Sequence, residues 1–409
     1  MSELQYGDGR FIGQQIRAIR RRRGWSQQLL ADRVGVSRGA IAKYETGDRP
    51  IDSRRLLYAL SDALGVRVGD LTGHPADETD PAAVSFHAAV ADIETALWAA
   101  GNVTPTGPPM TLDELAYAGQ RVSTALIEWD FAVLSSMLGP LLTESFRHTM
   151  DDTGADADRA WNLLAGLASD AAIALRVRGY TAQAWTATQI VEEAARNTGD
   201  AATDAAAAFA RSQVLLSRPG SVDAALTCAT RAIDRLEEQA RTLGELETFG
   251  MLHLQSALAA AAAGKEAETY FDAADEVAGR LAGAQPGWSI LRNPTFGTDN
   301  VMVWRMSVAL EQRDPVRVLE VAAELPPGAI AAASRRAQYF VELGRAHALC
   351  HDYPAALNAL LRAEHIAPQN VRSMAVVREL VGHMMRAARR SMTTGDLGRL
   401  AKRVGAVPA

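Results

Sequence analysis

Residues 26–47, SQQLLADRVGVSRGAIAKYETG, decide the fold of the first part of this chain. Ser26 can cap the start of a short helix, in which Leu30 and Val34 lie on one apolar side at helical spacing. Gly35 can then take up the left-handed backbone conformation that ends a helix. The stretch therefore predicts a helix, a tight turn and the start of a second helix.

The second helix predicted from this stretch begins after Ser37 and buries Ile41 and Tyr44. Its outward side consists of Arg38, Gly39, Ala40 and Lys43. A face that is short, flat and basic lets a helix backbone come close to the edges of DNA bases, where Arg and Lys side chains donate hydrogen bonds to guanine or phosphate. The alternative is a small helical core with a solvated basic face.

The charge distribution favours the DNA-binding interpretation of that face. Residues 1–72 hold 13 Lys and Arg against 8 Asp and Glu, a net charge of +5, whereas the rest of the chain has a net charge of −11. Positive charge is thus concentrated around the predicted helix-turn-helix, as phosphate binding requires. The acidic remainder argues against a protein that coats nucleic acid along its whole length.

Apolar spacing on both sides of the stretch completes a small domain. Upstream, the apolar residues within 11–19 form the buried stripe of a first helix, and the run Arg20–Arg23 covers its outside. Downstream, the leucines within 56–64 repeat the pattern, and Leu71 closes the core. The sequence therefore predicts five helices in this part of the chain.

These motifs resemble the helix-turn-helix domain of lambda-type phage repressors, known as the XRE family. The resemblance covers residues 10–72 and combines four motifs in one register, SQ at 26–27, GVS at 35–37, YETG at 44–47 and ALGV at 63–66. It implies a five-helix DNA-binding domain whose partner is double-stranded DNA.

The same resemblance implies roles for individual residues. Gln27 would position phosphate, and Arg20 and Glu45 would form a structural ion pair. The DNA-facing positions of the second helix would be Ser37, Arg38, Gly39, Ala40 and Lys43, with Arg38, Gly39 and Lys43 facing the bases. This chain departs from the family in having a longer loop at 48–53 and a small residue at position 39, which is often polar.

The whole chain is long enough for more than one core. It has 409 residues, 48% of them hydrophobic, and only two cysteines, which fits a reducing cytoplasm. The start, MSELQYGDGR, lacks the charged, apolar and cleavage-site order of a signal peptide, and the apolar run 257–263 is too short to span a bilayer. We expect a cytoplasmic protein that does not contact membranes.

A change of composition predicts the domain organisation. We expect a DNA-binding domain at 1–72, a linker at 73–81 and a helical domain at 82–409, because GHPADETDP has loop composition and is followed by Ala- and Leu-rich stretches of helical length. Gly or Pro recurs between those stretches. One long irregular segment, 283–299, is the exception, and long loops are often functional.

Residues 337–370, AQYFVELGRAHALCHDYPAALNALLRAEHIAPQN, form the clearest internal repeat. With Ala337 as position 1, the tetratricopeptide positions 4, 7, 8, 20, 24, 27 and 32 are filled by Phe340, Leu343, Gly344, Ala356, Leu360, Ala363 and Pro368. Small residues at positions 8 and 20 would let two antiparallel helices approach closely, and the proline would end the pair.

Weaker helix pairs can be drawn before this unit. A second unit starts near Asp299 and places Asp314 and Pro315 at the same turn, and looser pairs can be drawn through 160–196, 203–241 and 246–281. Because one such pair cannot bury its faces alone, neighbouring pairs are expected. The later chain thus resembles a tetratricopeptide α-solenoid, and the whole resembles actinobacterial XRE regulators with a helical-repeat sensor, including an FG-x-x-NV stretch at 296–301. We therefore expect an all-α fold, with a five-helix lambda-repressor-like domain followed by this solenoid.

Other chemistries find little support in the sequence. His347, Cys350 and His351 lie within one helical turn, but Cys350 points away from His347 and no third ligand is near, so we expect no metal site. Phosphate-binding glycine loops, HExxH and GxSxG are absent from the chain. We expect neither an enzyme nor a cofactor.

These observations predict a transcriptional regulator that forms a homodimer through residues after 82 and senses a small-molecule or peptide effector. The first helices of the two best-framed pairs would line a concave surface for the effector, with the side chains of Asn300, Val303, Trp304, Ser307, Gln338, Val341 and Arg345 on or near it. We expect Asn300, Trp304, Gln338 and Arg345 to bind the effector. The simpler interpretation makes Asn300 a helix cap, Trp304 a core residue and Arg345 a surface charge. The competing function is a DNA-bound scaffold that docks a partner protein.

Overall fold

The computed structural model describes residues 12–73, 81–102, 105, 107–284, 295–387 and 395–406. Every regular element within these ranges is helical, so the predicted all-α class is confirmed. The helices are α1 (Ile12–Arg22), α2 (Gln27–Val34), α3 (Arg38–Thr46), α4 (Arg54–Leu64), α5 (Val68–Thr72), α6 (Pro81–Ala99), α7 (Leu112–Glu128), α8 (Phe131–Asp151), α9 (Ala155–Val177), α10 (Thr181–Thr198), α11 (Ala201–Leu216), α12 (Val222–Leu236), α13 (Leu243–Ala262), α14 (Glu268–Arg280), α15 (Thr298–Glu311), α16 (Pro315–Glu324), α17 (Ala333–Leu349), α18 (Tyr353–Ile366), α19 (Pro368–Ser373), α20 (Ala375–Ala387) and α21 (Asp396–Arg403).

Helices α1–α5 form the predicted five-helix domain, which we call the head. Its core contains Ile16, Leu30, Ile41 and Leu60, all without solvent exposure, together with Tyr44. These residues come from four different helices, so the helices bury their apolar stripes against one another. This packing explains why the apolar spacing in the sequence indicated which side of each helix is buried.

Local capping fixes where the head helices begin. The hydroxyl oxygens of Ser26, Ser37 and Ser53 accept hydrogen bonds from the backbone N–H three residues later, at 3.1, 3.1 and 3.3 Å. Each such cap satisfies a donor that the first helical turn leaves without a partner. Gly35 ends α2 with φ of 72°, a conformation that favours glycine, as the sequence predicted.

The later helices follow one another in pairs with short connections. The pairs α9 and α10, α11 and α12, and α13 and α14 pack against each other at the places that the sequence predicted. Helix α13 is the most enclosed of the described elements, because Gly244 and every residue from Leu246 to Ala262 are buried. Its alanine-rich sequence suits that position, since small side chains let several helices come close.

The unit at 337–370 has the close helix approach that its small residues predicted. A Cβ atom built on Gly344 would lie 3.1 Å from the Leu360 side chain and 3.3 Å from the carbonyl oxygen of Ala356. Leu360 has no solvent exposure, so it has little room to move. Helices α17 and α18 therefore touch at a point where only glycine fits comfortably.

The chain forms two compact units. One comprises Met1–His74, Ala309–Glu324 and Ala337–Ala409, and the other Pro75–Val308 and Leu325–Arg336. The division at 1–72, 73–81 and 82–409 stays a prediction, and most of the proposed linker lies outside the described residues, as does 285–294 of the long irregular segment. We call Ala309–Glu324 and Ala337–Ala409, the part of the first unit beyond the head, the platform.

A search for membrane spans gave a negative result. Among the helices that the structure describes, none combines the length and apolar composition needed to cross a bilayer.

Candidate nucleic-acid interface

Helix α3 presents the side chains that the sequence assigned to DNA. Ser37, Arg38, Gly39 and Lys43 are exposed, and Ala40 is half-buried. Neither the Arg38 nor the Lys43 side chain has a hydrogen-bond or ion-pair partner within the described chain, so both can reach a ligand without first breaking a contact. A Cβ atom at Gly39 would meet only the Ser37 hydroxyl at 3.9 Å, which leaves the surface there flat and open.

The side chain of Ser37 has a structural task at this face. Its Oγ atom accepts the backbone N–H of Ala40 at 3.1 Å and so caps α3. Ser37 thereby fixes the start of the helix on which Arg38 and Lys43 lie. Its assignment as a DNA contact stays a prediction.

The ion pair between Arg20 and Glu45 is confirmed. Arg20 donates from Nε and Nη2 to the two Glu45 carboxylate oxygens at 2.5 and 2.8 Å, and both residues are buried. The hydrogen bond to Glu45 raises the pKa of Arg20 above its ordinary value. Placing Arg20 on the outside of the first helix with the other arginines of its run was wrong, because this buried carboxylate draws it inward.

Gln27 belongs to the same cluster. Its Nε2 atom donates to Glu45 Oε2 at 2.9 Å, which ties the start of α2 to α3. The side chain is half-buried, so part of it remains in contact with solvent. Its role in positioning phosphate stays a prediction.

Two further cations lie beside the turn between α1 and α2. The guanidinium carbons of Arg33 and Arg23 lie 4.2 and 5.4 Å from the centre of the Trp25 ring. Both arginines are exposed, and the aromatic face stabilises them in place. They add positive charge next to Ser26, the residue that caps α2.

Carboxylates of the platform cap two helices of the head. Glu379 Oε2 accepts the backbone N–H of Ile12, the first residue of α1, at 3.2 Å. Glu311 accepts the backbone N–H of Arg54, the first residue of α4, at 2.9 and 3.1 Å with its two oxygens. Negative charge at these two positions complements the partial positive charge of a helix N-terminus.

The C-terminal end of α3 meets cationic and imidazole groups instead. The carbonyl oxygen of Gly47 accepts hydrogen bonds from His383 Nδ1 at 3.1 Å and from Arg386 Nε at 3.4 Å. Since a carbonyl can only accept, this contact places the proton of His383 on Nδ1. Burial lowers the pKa of His383, so the neutral ring is favoured here.

Arginines of the platform hold the loop between α3 and α4. Arg345 Nη2 donates to the carbonyl oxygen of Asp52 at 2.6 Å. Arg313 Nη2 lies 3.5 Å from the Asp52 carboxylate and 3.4 Å from the Tyr44 hydroxyl. The loop at 48–53 is therefore a contact surface for these arginines, and neither its length nor its composition predicted this.

The proposed effector residues fall into different compact units. Asn300 and Trp304 lie in the second unit and are buried, with 0% and 8% exposure. Asn300 Nδ2 makes a 3.6 Å contact with Met251 Sδ, whereas Asn300 Oδ1 and Trp304 Nε1 have no hydrogen-bond partner in the described chain. Asn300 is thus not the simple helix cap of the alternative interpretation.

Gln338 and Arg345 lie in the first unit and are engaged with the same carboxylate. Both donate to Glu342, Gln338 from Nε2 and Arg345 from Nη1. Val303 and Val341, which were expected on an open concave surface, are buried at 1% and 0% exposure. These two valines therefore do not lie on an open surface.

The described part of the chain does not gather metal-ligating side chains into a cluster. Within the described residues, no group of three or more His, Cys, Asp or Glu side chains is placed to hold a metal ion. His347 Nδ1 lies 3.8 Å from Asp352 Oδ2, and His351 Nδ1 lies 3.3 Å from the Tyr353 hydroxyl. Each histidine of the suspected motif thus has a nearby polar group of its own.

Comparison with known proteins supports the helix-turn-helix assignment. A family model described as "Helix-turn-helix domain" matches residues 12–74. Comparison with curated proteins gave no match. Among solved structures, the chain is similar to PlcR of Bacillus thuringiensis, crystallised with the peptide PapR7 and DNA, at 13% identity over 66% of this chain and 95% of that chain. The TM-score of 0.28 is too low for that likeness to support any conclusion.

The family match and the geometry agree on one region. The match spans the five head helices, including the capped pair α2 and α3 with its exposed Arg38 and Lys43. The chain therefore contains a helix-turn-helix domain at residues 12–74, which supports DNA binding by this region.

Proposed function

We propose that this protein is a cytoplasmic, sequence-specific transcription regulator of the XRE type, in which α3 reads bases in the major groove. The observation that supports this most is the pair of exposed, unpartnered cations Arg38 and Lys43 on either side of an open Gly39 surface. A bidentate contact from Arg to guanine discriminates against a wrong base by about 1–3 kcal/mol. Lys43 lies just over one turn further along the same helix.

Operator selection from random DNA, followed by affinity measurements, tests this proposal. Arg38→Ala should weaken binding to the selected operator by about 1–3 kcal/mol and relax its sequence preference. Gln27→Ala should weaken binding to all sequences together, because phosphate contacts carry no sequence information. Arg317→Ala, an exposed cation outside the head, is the matched control and should change neither. Unchanged operator affinity in both Arg38→Ala and Lys43→Ala would show that α3 does not read the bases.

We also propose that the protein binds DNA as a homodimer held by residues after 82. A single head contacts only a few base pairs, and regulators of this kind gain affinity by presenting two heads to half-sites about one helical turn apart. The net charge of +5 in residues 1–72 leaves the acidic remainder free for other contacts. Light scattering that shows a monomer at micromolar concentration, both free and on DNA, would contradict this.

The effector site is proposed around Asn300 and Trp304. A buried polar atom without a partner costs about 1–3 kcal/mol, and here an acceptor and a donor one helical turn apart both lack partners. A ligand that offers a donor and an acceptor at similar spacing, such as an amide, would remove that cost. Gln338 and Arg345 already have partners in Glu342, so they are weaker candidates than the sequence indicated.

Thermal melting against small-molecule and peptide fractions tests the effector proposal, because a ligand that binds the native state raises the melting temperature. Asn300→Leu should remove this shift while leaving DNA affinity intact, and it should not destabilise the free protein much, since it deletes an unpartnered acceptor. A variant that still responds fully would place the site elsewhere. Binding of partner proteins without any response to small molecules or peptides would favour the scaffold function.

A further inference from the structure

The contacts between head and platform follow one electrostatic rule. Carboxylates of Glu379 and Glu311 lie at the N-termini of α1 and α4, and Arg386 lies at the C-terminal end of α3 next to Gly47. A helix N-terminus favours negative charge and a C-terminus favours positive charge. Three helix ends of the head thus meet groups of the matching sign from a distant part of the chain.

These contacts leave the DNA-facing side of α3 free. The platform reaches α3 at Gly47, beyond its last turn, whereas Arg38 and Lys43 remain exposed. A Cβ atom at Gly47 would clash with the guanidinium group of Arg386, so the Arg386 side chain lies directly against the backbone there. The docked head is therefore held from one side and open on the other.

We propose that the platform is an orienting device for the head: it docks the ends of α1, α3 and α4 and so fixes the direction in which the recognition face of α3 points. The proposal rests on the proposed dimeric DNA binding. A head held in one orientation can fit two half-sites only at a matching separation, whereas a loosely tethered head tolerates several separations. Pre-organisation of this kind raises affinity because less freedom is lost on binding.

The contact of Arg313 with the head can be removed by mutation without changing a core residue. Arg313 holds Asp52 and Tyr44 from the turn between α15 and α16, and its side chain is 37% exposed. Arg317, four residues on, is 51% exposed and pairs with Glu320 of the platform itself. Arg313→Gln and Arg317→Gln thus form a matched pair, in which only the first loses a contact to the head.

Hydrogen exchange of the full-length chain tests the docking. In Glu311→Ala the backbone N–H of Arg54 at the start of α4 loses its acceptor. In Glu379→Ala the backbone N–H of Ile12 at the start of α1 loses its acceptor. The peptide at the affected helix start should exchange about 5-fold faster or more in each variant. Arg313→Gln should accelerate exchange around Asp52 about 2-fold to 5-fold. Arg317→Gln should leave all head peptides unchanged. Wild-type exchange in all three docking variants would overturn the proposal.

DNA binding tests the orienting role separately. Single half-sites and paired half-sites at a series of separations are titrated with wild-type protein, Arg313→Gln and Arg317→Gln. We expect Arg313→Gln to bind single half-sites as wild type does but to lose several-fold in preference for the best separation, an effect that a merely stabilising contact would not produce. Faster exchange with an unchanged separation preference would overturn the orienting role. If the wild-type protein bound single and paired half-sites with equal affinity, the proposed dimeric binding would be refuted. The hydrogen-exchange experiment would still decide whether the head is docked on the platform.

Discussion

Removing the Glu45 carboxylate should loosen the whole head, because it leaves Arg20 buried without its counter-charge. The carboxylate accepts three hydrogen bonds, two from Arg20 and one from Gln27, and Glu45 and Arg20 are only 3% and 7% exposed. Breaking a buried ion pair by deleting one partner costs about 3–5 kcal/mol. Arg20 would keep its 2.6 Å hydrogen bond to the Trp25 carbonyl, so we expect the lower end, about 3 kcal/mol for Glu45→Ala.

Local hydrogen exchange of the full-length protein measures this cost in the right place, since a global melting curve would mix the two compact units. A loss of about 3 kcal/mol should speed exchange in α1 and α3 by about 150-fold, because 1.36 kcal/mol is a factor of ten. Arg17→Ala, an exposed change on the same helix, should stay within about 2-fold of wild type. The double variant Arg20→Met with Glu45→Met should recover most of the protection, since an apolar pair leaves no unpaired charge. If Glu45→Ala changed exchange by less than about 3-fold, or if the double variant exchanged as fast as the single one, the ion pair would not have the role argued here.

Two further predictions concern the later helices. In local hydrogen exchange, Gly344→Ala should destabilise the α17 and α18 pair by about 1 kcal/mol, since overpacking against Leu360 costs about 1–3 kcal/mol and better helix propensity returns about 1 kcal/mol. Gly279→Ala, in a helix with open space around it, should stabilise its own helix instead, and equal effects at both sites would disprove the close approach. Burial lowers the pKa of His253 from 6.5 to about 4, so its neutral form favours folding above pH 6.5 and this contribution is lost as the pH falls towards 4. Between pH 7 and pH 5 the unfolding free energy of the wild type should fall by about 2 kcal/mol more than that of His253→Gln. If the unfolding free energies of the two proteins changed in parallel with pH, His253 would not be buried in the neutral form.

The sequence predicted the head well because its determinants are local. Ser26 and Ser37 cap helices through atoms three residues away, and Gly35 needs only its own backbone conformation. Such interactions leave a pattern within a few neighbouring residues, which a single sequence displays. The ion pair of Arg20 with Glu45 lies across 25 residues and was found only because the family resemblance supplied it.

The docking contacts left no comparable pattern. Glu379 caps a residue 367 positions earlier in the chain, and Glu311 one 257 positions earlier. Each is a single carboxylate on an ordinary helix, and nothing in its neighbourhood distinguishes it from a solvated surface charge. A periodic pattern shows which side of a helix is apolar, but it does not show which distant element will lie opposite one polar residue on it.

Arg345 shows the consequence for function. Its position in the tetratricopeptide frame placed it on a ligand-binding surface, and on that basis Arg345→Ala should leave DNA affinity intact. In the structure α17 and α18 approach closely at Gly344, but the group opposite Arg345 is the carbonyl oxygen of Asp52 in the head. The side chain is only 14% exposed, and its other partner is the buried Glu342. The same residue that the repeat pattern assigned to effector binding is therefore better placed to link the helical repeats to the DNA-binding head, and any effect of Arg345→Ala on DNA affinity would reach α3 through the loop at Asp52.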